Sequence, residues 1–99
     1  MIMKDFKIID NKEARQFEAH IAGQMAKVIY ERNGSRIFLT GAEVPPVLEK
    51  QGVLPMMLGK VMEEISAQNI RMVPSSKKVA EFVRSNPQWK TLLAHGLHI

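Results

Sequence analysis

The fold is decided by residues 44–65, which read VPPVLEKQGVLPMMLGKVMEEI. The paired prolines remove two backbone donors, so a strand cannot continue through them. Pro55 fits the first turn of a helix, where the absence of its N–H matters least. Beyond Gly52 the apolar residues recur at spacings of three and four, the pattern of one helix face: Leu54, Met57, Leu58, Val61, Met62 and Ile65. This stretch therefore predicts the end of a strand, a bend, and an amphipathic helix that begins at about Leu54.

The residues before this stretch predict a meander of antiparallel strands. Phe17, Ala19 and Ile21 alternate with polar residues, which is the period-two pattern of a half-buried strand. Asn33-Gly34 lies between two apolar runs and supplies the positive φ angles of a tight hairpin. Lys7 to Asp10 precede an Asp-Asn turn and are interpreted as a short edge strand. The pattern predicts three or four antiparallel strands between residues 6 and 44.

The residues after the helix predict a further strand and two more helices. Ile70 to Val73 form a short apolar run, and Ser75 or Ser76 is placed to cap the helix that follows. Asn86-Pro87 has the preferred order for the start of a third helix. The apolar faces of these two helices are Val79, Phe82 and Val83, then Trp89, Leu92 and Leu93. The whole order predicts an α+β fold, with a mixed sheet, in a single domain of residues 1–99.

Composition narrows the range of functions. The chain has 99 residues, 14 Lys and Arg against 10 Asp and Glu, and no Cys, which excludes disulfides, thiolate zinc sites and cysteine nucleophiles. No apolar run approaches the roughly 20 residues that span a bilayer. The first ten residues lack the apolar region of a signal peptide. These features predict a cytoplasmic location and no contact with a membrane.

The basic residues are concentrated from Arg71 onward, which is typical of a solvated cationic face or of a surface for an anionic polymer. Only six aromatic residues are present, mostly at core-like positions, so nucleic-acid binding is not favoured. His20, His95 and His98 are far apart, and no metal site is predicted. What remains is the stretch from Gly41 to Glu64, where a helix start can hold a phosphate on its unpaired N–H groups.

A set of motifs occurs in a characteristic order and at characteristic spacings: Gly23-x-x-Ala26-x-x-x-x-Tyr30, Glu43-Val44-Pro45-Pro46, Leu48-Glu49-Lys50-Gln51-Gly52-Val53, Val73-Pro74-Ser75-Ser76, Val79-x-x-Phe82-Val83 and Asn86-Pro87-x-Trp89. In this order the chain, from about Phe17 to Trp89, resembles the small single-domain branch of the GNAT acyltransferase superfamily. The resemblance implies an antiparallel meander, a cofactor-binding helix, a fifth strand splayed from the fourth, and a closing helix.

The resemblance also implies a cofactor and a site. Acetyl-coenzyme A would lie between the fourth and fifth strands, with its pyrophosphate on the turn from Glu49 to Leu54 and its pantetheine arm along residues 42–44. Glu43 would orient or deprotonate an amine, and Ser76 would make a polar contact near the acetyl group. The cofactor-binding residues implied are Ala42, Val44, Lys50, Gln51, Gly52, Val53, Leu54 and Met56.

The chain departs from the family pattern at the cofactor loop and at the implied catalytic positions. Gly41-Ala42 stand where relatives usually have His-Thr, and Ser76 stands where many have a cysteine. Lys50 and Leu54 replace small residues of the phosphate loop. Two functions follow from this. The first is an acetyl-coenzyme A-dependent N-acyltransferase that acts on a small amine. The alternative is a catalytically inactive relative that binds an acyl-coenzyme A or a protein partner.

Overall fold

The computed structural model describes residues 5–99 and confirms the α+β class. The elements of this part of the chain follow one another in the order predicted, with one short helix added. Their bounds are β1 Ile9–Asn11, β2 Gln16–Ile21, β3 Gln24–Asn33, β4 Arg36–Glu43, α1 Pro46–Glu49, α2 Val53–Ala67, β5 Arg71–Pro74, α3 Lys77–Ser85 and a 3-10 helix Pro87–Leu92.

The five strands form one sheet in the order β1-β2-β3-β4-β5. The first four are antiparallel, as the meander predicted, and β5 runs parallel to β4. The edge strand predicted at Lys7 to Asp10 was displaced, since β1 extends to Asn11, which pairs with Gln16. The reason is that the Asn11 side chain accepts the N–H of Ala14 at 3.1 Å, so the turn follows Asn11.

The sheet buries only one of its faces against the helices. The buried sheet residues share a core with the apolar sides of α2 and α3: Phe17, Ala19, Ala26, Val28, Tyr30, Ile37, Leu39 and Met72 from the sheet, and Met57, Leu58, Val61, Met62, Ile65, Val79 and Val83 from the helices. Because side chains alternate along a strand, the intervening residues point to the opposite side. We call this side the open face. No helix of residues 5–99 packs on it.

The third predicted helix was wrong in type and in burial. Residues Pro87–Leu92 form a 3-10 helix, and its Trp89 and Leu92, with the following Leu93, are half-buried rather than buried. The chain leaves the helix early because Leu93 becomes extended and forms a parallel bridge with Met72 of β5. The N–H of Ala94 then donates to the Met72 carbonyl at 2.9 Å. Pairing with the sheet edge therefore ends the helix before a full α-helical face can form.

Alanine at two glycines, one inside α2 and one just before it, is expected to change the free energy of unfolding in opposite directions. Gly59 lies inside the helix, and Gly52 precedes it with φ +77°; a Cβ at either position meets nothing within 4 Å. Gly59→Ala should raise the free energy of unfolding by about 0.5–1 kcal/mol, because alanine loses less conformational entropy in a helix. Gly52→Ala should lower it by about 1 kcal/mol, because the left-handed conformation strains an L-residue. Urea unfolding of both variants measures the two effects, and equal signs would contradict the assigned backbone.

Candidate functional site

The sheet splits between β4 and β5. Their pairing runs only from Arg36–Arg71 to Leu39–Pro74. One more link follows, in which the N–H of Ser76 donates to the Leu39 carbonyl at 2.9 Å, and the chain then enters α3. Residues 41–43 of β4 pair with β3 alone among the described residues. The backbone of β4 therefore has an unpaired edge that faces the gap left by β5.

A β-bulge at Thr40 marks the start of this gap. Ile29 pairs with Gly41 and Tyr30 pairs with Leu39, which leaves Thr40 without an opposite residue. The Thr40 hydroxyl donates to the Ile29 carbonyl at 3.3 Å. A bulge bends its strand and increases the local twist, so it turns the end of β4 away from β5. The bulge was not predicted from the sequence, although a glycine inside a strand, here Gly41, often indicates one.

The first turn of α2 presents unpaired backbone donors. Gly52 is the N-cap residue, and its own N–H donates to the Glu49 carbonyl at 3.0 Å. Within residues 5–99, the N–H groups of Val53 and Leu54 have no acceptor, and Pro55 has no N–H. Two donors and the positive end of the helix dipole therefore meet at this point. Such an arrangement favours an anion.

The side chains of this turn differ in what they can contribute. Val53 is 0% exposed as a whole residue, so neither its side chain nor its N–H reaches the surface, and Leu54 is half-buried against the core. Met56 is 38% exposed, and Gly52, Lys50 and Gln51 are exposed. The exposed part of the turn is therefore Gly52 and its neighbours in sequence, with Lys50 as the nearest cation in sequence.

A short helix that the sequence analysis missed connects β4 to this turn. Helix α1 has Pro45 at its N-cap and Pro46 at its first position, with Leu48 as its buried residue. The N–H groups of Lys50 and Gln51 donate to the carbonyls of Pro46 and Leu48 at 3.1 and 3.0 Å. These bonds fix the turn that precedes Gly52. Proline at the first helical position was the available signal.

Glu43 lies at the open end of the split. Its side chain is 65% exposed, and its Oε2 is 3.8 Å from Lys27 Nζ on the neighbouring strand. A groove of about 340 Å³ runs beside it, lined by Met25, Lys27, Glu43, Val44 and Pro45. The groove is on the open face and combines a carboxylate with apolar walls. This combination suits a small molecule that carries an amine.

Ser76 lies at the closed end of the split. It is the N-cap residue of α3, which confirms the predicted cap position, although its hydroxyl makes no capping hydrogen bond. The carbonyl of Ser76 accepts the Ala80 N–H at 2.9 Å. Its link to Leu39 places it four residues from Glu43 along β4, roughly 13 Å at 3.3 Å per residue. No hydrogen bond joins Glu43 and Ser76, and the two serve different ends of the split.

A carboxylate on the open face has an unusually complete set of partners. Glu18 is 8% exposed and accepts hydrogen bonds from Gln16 at 2.6 Å and Asn11 at 2.9 Å; His20 lies 3.0 Å from its other oxygen. These contacts, that with Gln16 first, lower the pKa of Glu18 from 4.5 to about 2. Burial opposes the shift but does not outweigh it. The alternation of apolar and polar residues along β2 predicts that His20 lies on the polar side, but no spacing in the sequence indicates this network.

Because of the Glu18 network, the free energy of unfolding is expected to depend on pH. Because the folded pKa is the lower one, the carboxylate stabilises the fold above pH 4.5, and this contribution is lost as the pH falls toward 2. Glu18→Gln should therefore unfold more easily than the unmodified protein at pH 6, with the difference shrinking between pH 4.5 and 2. Chemical denaturation across this range measures the difference, with the exposed Glu63→Gln as the control for charge. A difference that stays constant with pH would contradict the assignment.

Two general features of residues 5–99 bear on the site. None of the helices in this range combines the length and the apolar character that a bilayer crossing requires. No group of three or more His, Asp or Glu side chains in the same range is arranged to hold a metal ion. The polar groups of the site are backbone N–H groups and a lysine as donors, a glutamate carboxylate as an acceptor, and a serine hydroxyl.

A meander whose parallel last strand splays from it, beside a helix start with free donors, defines an acyltransferase-like domain. The family model of the GCN5-related N-acetyl-transferases matches residues 16–92, which is more than half of the chain. The chain belongs to this family, and the resemblance to the GNAT superfamily is confirmed. Among curated proteins, no match to the chain is found.

Proposed function

We propose that the protein is an acetyl-coenzyme A-dependent N-acyltransferase that acts on a small amine. The observation that carries the proposal is the split between β4 and β5 together with the unpaired N–H groups of Val53 and Leu54. Family membership supports acyl transfer in general. The geometry supports the choice of an anionic cofactor that is long enough to reach from a helix start into a gap in a sheet.

The turn and the strand edge would hold different parts of the cofactor. The N–H of Leu54 would donate to the pyrophosphate, the N–H of the buried Val53 would join it only after the side chains that cover it move, and the exposed Lys50 would add its charge. The pantetheine arm has amide groups that can pair with residues 42–44 of β4, as an added strand pairs with a sheet edge. Gln51, Gly52 and Met56 would border the phosphate. Within the described residues, these groups need no rearrangement of a hydrogen bond to become available.

The groove beside Glu43 would hold the amine. An acetyl thioester at the split supplies an acyl carbon that a neutral amine can attack, so that a C–N bond forms as the C–S bond breaks. Glu43 would orient the amine and accept its proton, while Lys27 keeps the carboxylate in place at 3.8 Å. Ser76 lies roughly 13 Å from Glu43, so its free hydroxyl would contact the bound cofactor away from the atoms that react. No covalent intermediate on the protein is needed, because holding the two reactants together contributes much of the rate.

A second function is favoured by one observation, namely that the Ser76 hydroxyl has no partner among the described residues. A serine without a neighbouring base is a poor proton carrier. The alternative is thus a non-catalytic protein that binds an acyl-coenzyme A or a protein. A protein that binds acyl-coenzyme A would share the cofactor site with the transferase and differ from it only in turnover, whereas a protein-binding role needs no cofactor.

Titration with coenzyme A tests the shared site, and Lys50→Gln sharpens the test. We expect amide NMR signals of residues 50–56 to shift in the unmodified protein. Lys50→Gln should weaken binding about fivefold at low salt, because one charge about 4 Å from a phosphate contributes about 1 kcal/mol in water. Lys90→Gln has the same charge change in the 3-10 helix, and binding by this variant should be unchanged.

Two outcomes separate the candidate functions. Signals near Gly52 that stay fixed at millimolar coenzyme A would refute the transferase and the acyl-coenzyme A-binding protein, and would leave only the protein-binding role. Binding without any turnover of acetyl-coenzyme A, in the presence of a range of small primary amines, would leave the non-catalytic function. Turnover that is lost in Glu43→Gln, with coenzyme A binding retained, supports the transferase and the role of Glu43.

A further inference from the structure

The groove beside Glu43 is lined by one negative and one positive side chain, and neither is fully engaged by the protein. Lys27 Nζ lies 3.8 Å from Glu43 Oε2, which is longer than the roughly 2.7–2.9 Å of a hydrogen-bonded ion pair. Within residues 5–99, neither charged group makes a hydrogen bond. Both therefore keep their hydrogen-bonding capacity for a ligand in the groove.

The neighbouring carboxylate of Glu18 does not take up the charge of Lys27, although the two residues are opposite each other across β2 and β3. Glu18 is 8% exposed, and its oxygens are held by Gln16, Asn11 and His20. Among the described residues, Lys27 and Glu43 are the charged side chains that line the groove. One positive and one negative charge at the same place match a ligand that carries both charges and is neutral overall.

The remaining walls of the groove are apolar and are formed by Met25, Val44 and Pro45. Val44 packs against the core, which fixes the wall at that end. Met25 is 36% exposed, and its unbranched side chain adapts to ligands of different shape. The volume of about 340 Å³ is at the lower end of the roughly 300–1,000 Å³ of small-molecule pockets. The groove therefore suits a small ligand with an apolar side chain.

We propose that the acceptor is a free apolar amino acid, bound with its α-amino group on Glu43 and its carboxylate on Lys27. Standard bond lengths separate the nitrogen and the carboxylate oxygens of such a molecule by about 3 Å. This separation is close to the 3.8 Å between Lys27 Nζ and Glu43 Oε2, so one molecule can contact both groups. A diamine would instead bring a second cation toward Lys27. The proposal names the substrate class of the same site and rests on the proposed function.

Acetyl transfer to such a molecule balances with these two groups. The α-ammonium loses one proton to water, and Glu43 holds the neutral amine by accepting an N–H hydrogen bond. The nitrogen lone pair attacks the acetyl carbon, so that the C–N bond forms while the C–S electron pair leaves on the thiolate of coenzyme A. The second proton passes from the nitrogen to Glu43 and then through water to the thiolate. Lys27 takes no proton and positions the substrate through its carboxylate.

Leucine and 3-methylbutylamine test the proposal, because the second molecule is leucine without its carboxylate. Release of coenzyme A from acetyl-coenzyme A measures kcat/KM for each amine, and the ratio of the two values cancels their different basicity. In Lys27→Gln, the ratio of leucine to 3-methylbutylamine should fall about fivefold or more, as expected for the loss of one contact between unit charges about 4 Å apart in water. Lys27→Arg keeps the charge and should keep the ratio. Lys90→Gln makes the same charge change in the 3-10 helix and should leave the ratio unchanged.

An NMR titration with leucine separates failure of this proposal from failure of acetyl transfer. Coenzyme A is present and carries no acetyl group, so leucine can bind but cannot react. The amide signals of Met25, Lys27 and Glu43 should shift, and Lys27→Gln should bind leucine about fivefold more weakly. Circular dichroism checks that both Lys27 variants stay folded.

The two measurements together give distinct outcomes. Leucine-dependent shifts without turnover of any amine would keep the amino-acid site and overturn the transferase. Turnover of 3-methylbutylamine, with a ratio that Lys27→Gln leaves unchanged, would overturn the amino-acid acceptor and keep the transferase. Signals that stay fixed in leucine, without any turnover, would overturn both.

Discussion

The Pro55→Glu variant is expected to bind coenzyme A about two- to threefold more weakly than Pro55→Gln, although its helix is the more stable of the two. Pro55 is exposed in the first turn of α2, next to the free N–H groups of Val53 and Leu54. Both substitutions introduce the N–H that proline lacks. They differ only in the charge that they add beside the proposed pyrophosphate site.

The glutamate raises the stability of the helix and lowers the affinity for coenzyme A, and its negative charge is the reason for both changes. A carboxylate in the first turn of a helix interacts favourably with the helix dipole and adds about 0.3–1 kcal/mol of stability. The same carboxylate repels a phosphate. At a separation of about 8 Å in water, the repulsion from one phosphate charge is about 0.5 kcal/mol, or roughly two- to threefold in affinity. A general loss of structure would lower both the free energy of unfolding and the affinity for coenzyme A. A variant that is more stable and binds more weakly therefore shows that the added charge acts on the ligand directly.

Calorimetric titration with coenzyme A and urea unfolding of the same two variants provide the measurements. Pro55→Gln should also bind a few-fold more tightly than the unmodified protein, since one additional hydrogen bond contributes about 1 kcal/mol. High salt should reduce the difference between the variants. If the glutamate and glutamine variants bind equally well, the pyrophosphate does not lie at the start of α2.

The sequence pattern predicted helix α2 and the strand order well because both depend on local chemistry. Five of the six residues in the apolar stripe are fully buried: Met57, Leu58, Val61, Met62 and Ile65. The sixth, Leu54, lies in the first turn and is half-buried. The prolines end β4 at Glu43, and Gly34 adopts φ +63° in the hairpin. Helical periodicity and turn chemistry act over a few residues, so a single chain reveals them.

The open face could not be predicted because strand periodicity does not show which side of a sheet is covered. Ile29, Phe38 and Val73 have the side chains of core residues, yet they lie away from both long helices. The positions of α2 and α3 in the folded protein determine which side of the sheet is covered. The bulge at Thr40 has the same origin, since it moves Phe38 and Gly41 to one side although they are three residues apart. An odd spacing of this kind reverses the expected alternation.

The candidate site was predicted in part for similar reasons. The apolar periodicity placed the helix start at about Leu54, one residue after the observed Val53, but it did not show that Val53 is fully buried and that Leu54 packs on the core. That follows from the direction in which their side chains pack. The Glu18 network depends on four side chains that the β1–β2 pairing brings together. No spacing in the chain indicates such a network before the register is known.

The largest loss of stability is expected from Leu39→Ala, which should lower the free energy of unfolding by about 3 kcal/mol. Leu39 is 0% exposed and lies at the last residue of β4 that pairs with β5. Removal of a buried leucine side chain leaves a cavity in the core, and such changes cost about 2–5 kcal/mol. For a domain of this size, this is a large share of a total of roughly 5–15 kcal/mol. The neighbouring Phe38 provides the matched comparison.

Phe38→Ala removes a larger side chain and should nevertheless cost only about 1 kcal/mol, because Phe38 is half-buried on the open face and leaves no enclosed cavity. Urea unfolding measures both variants. A Phe38 variant that is the less stable of the two would show that the open face is covered within the chain, because only an enclosed phenylalanine side chain leaves a cavity on truncation.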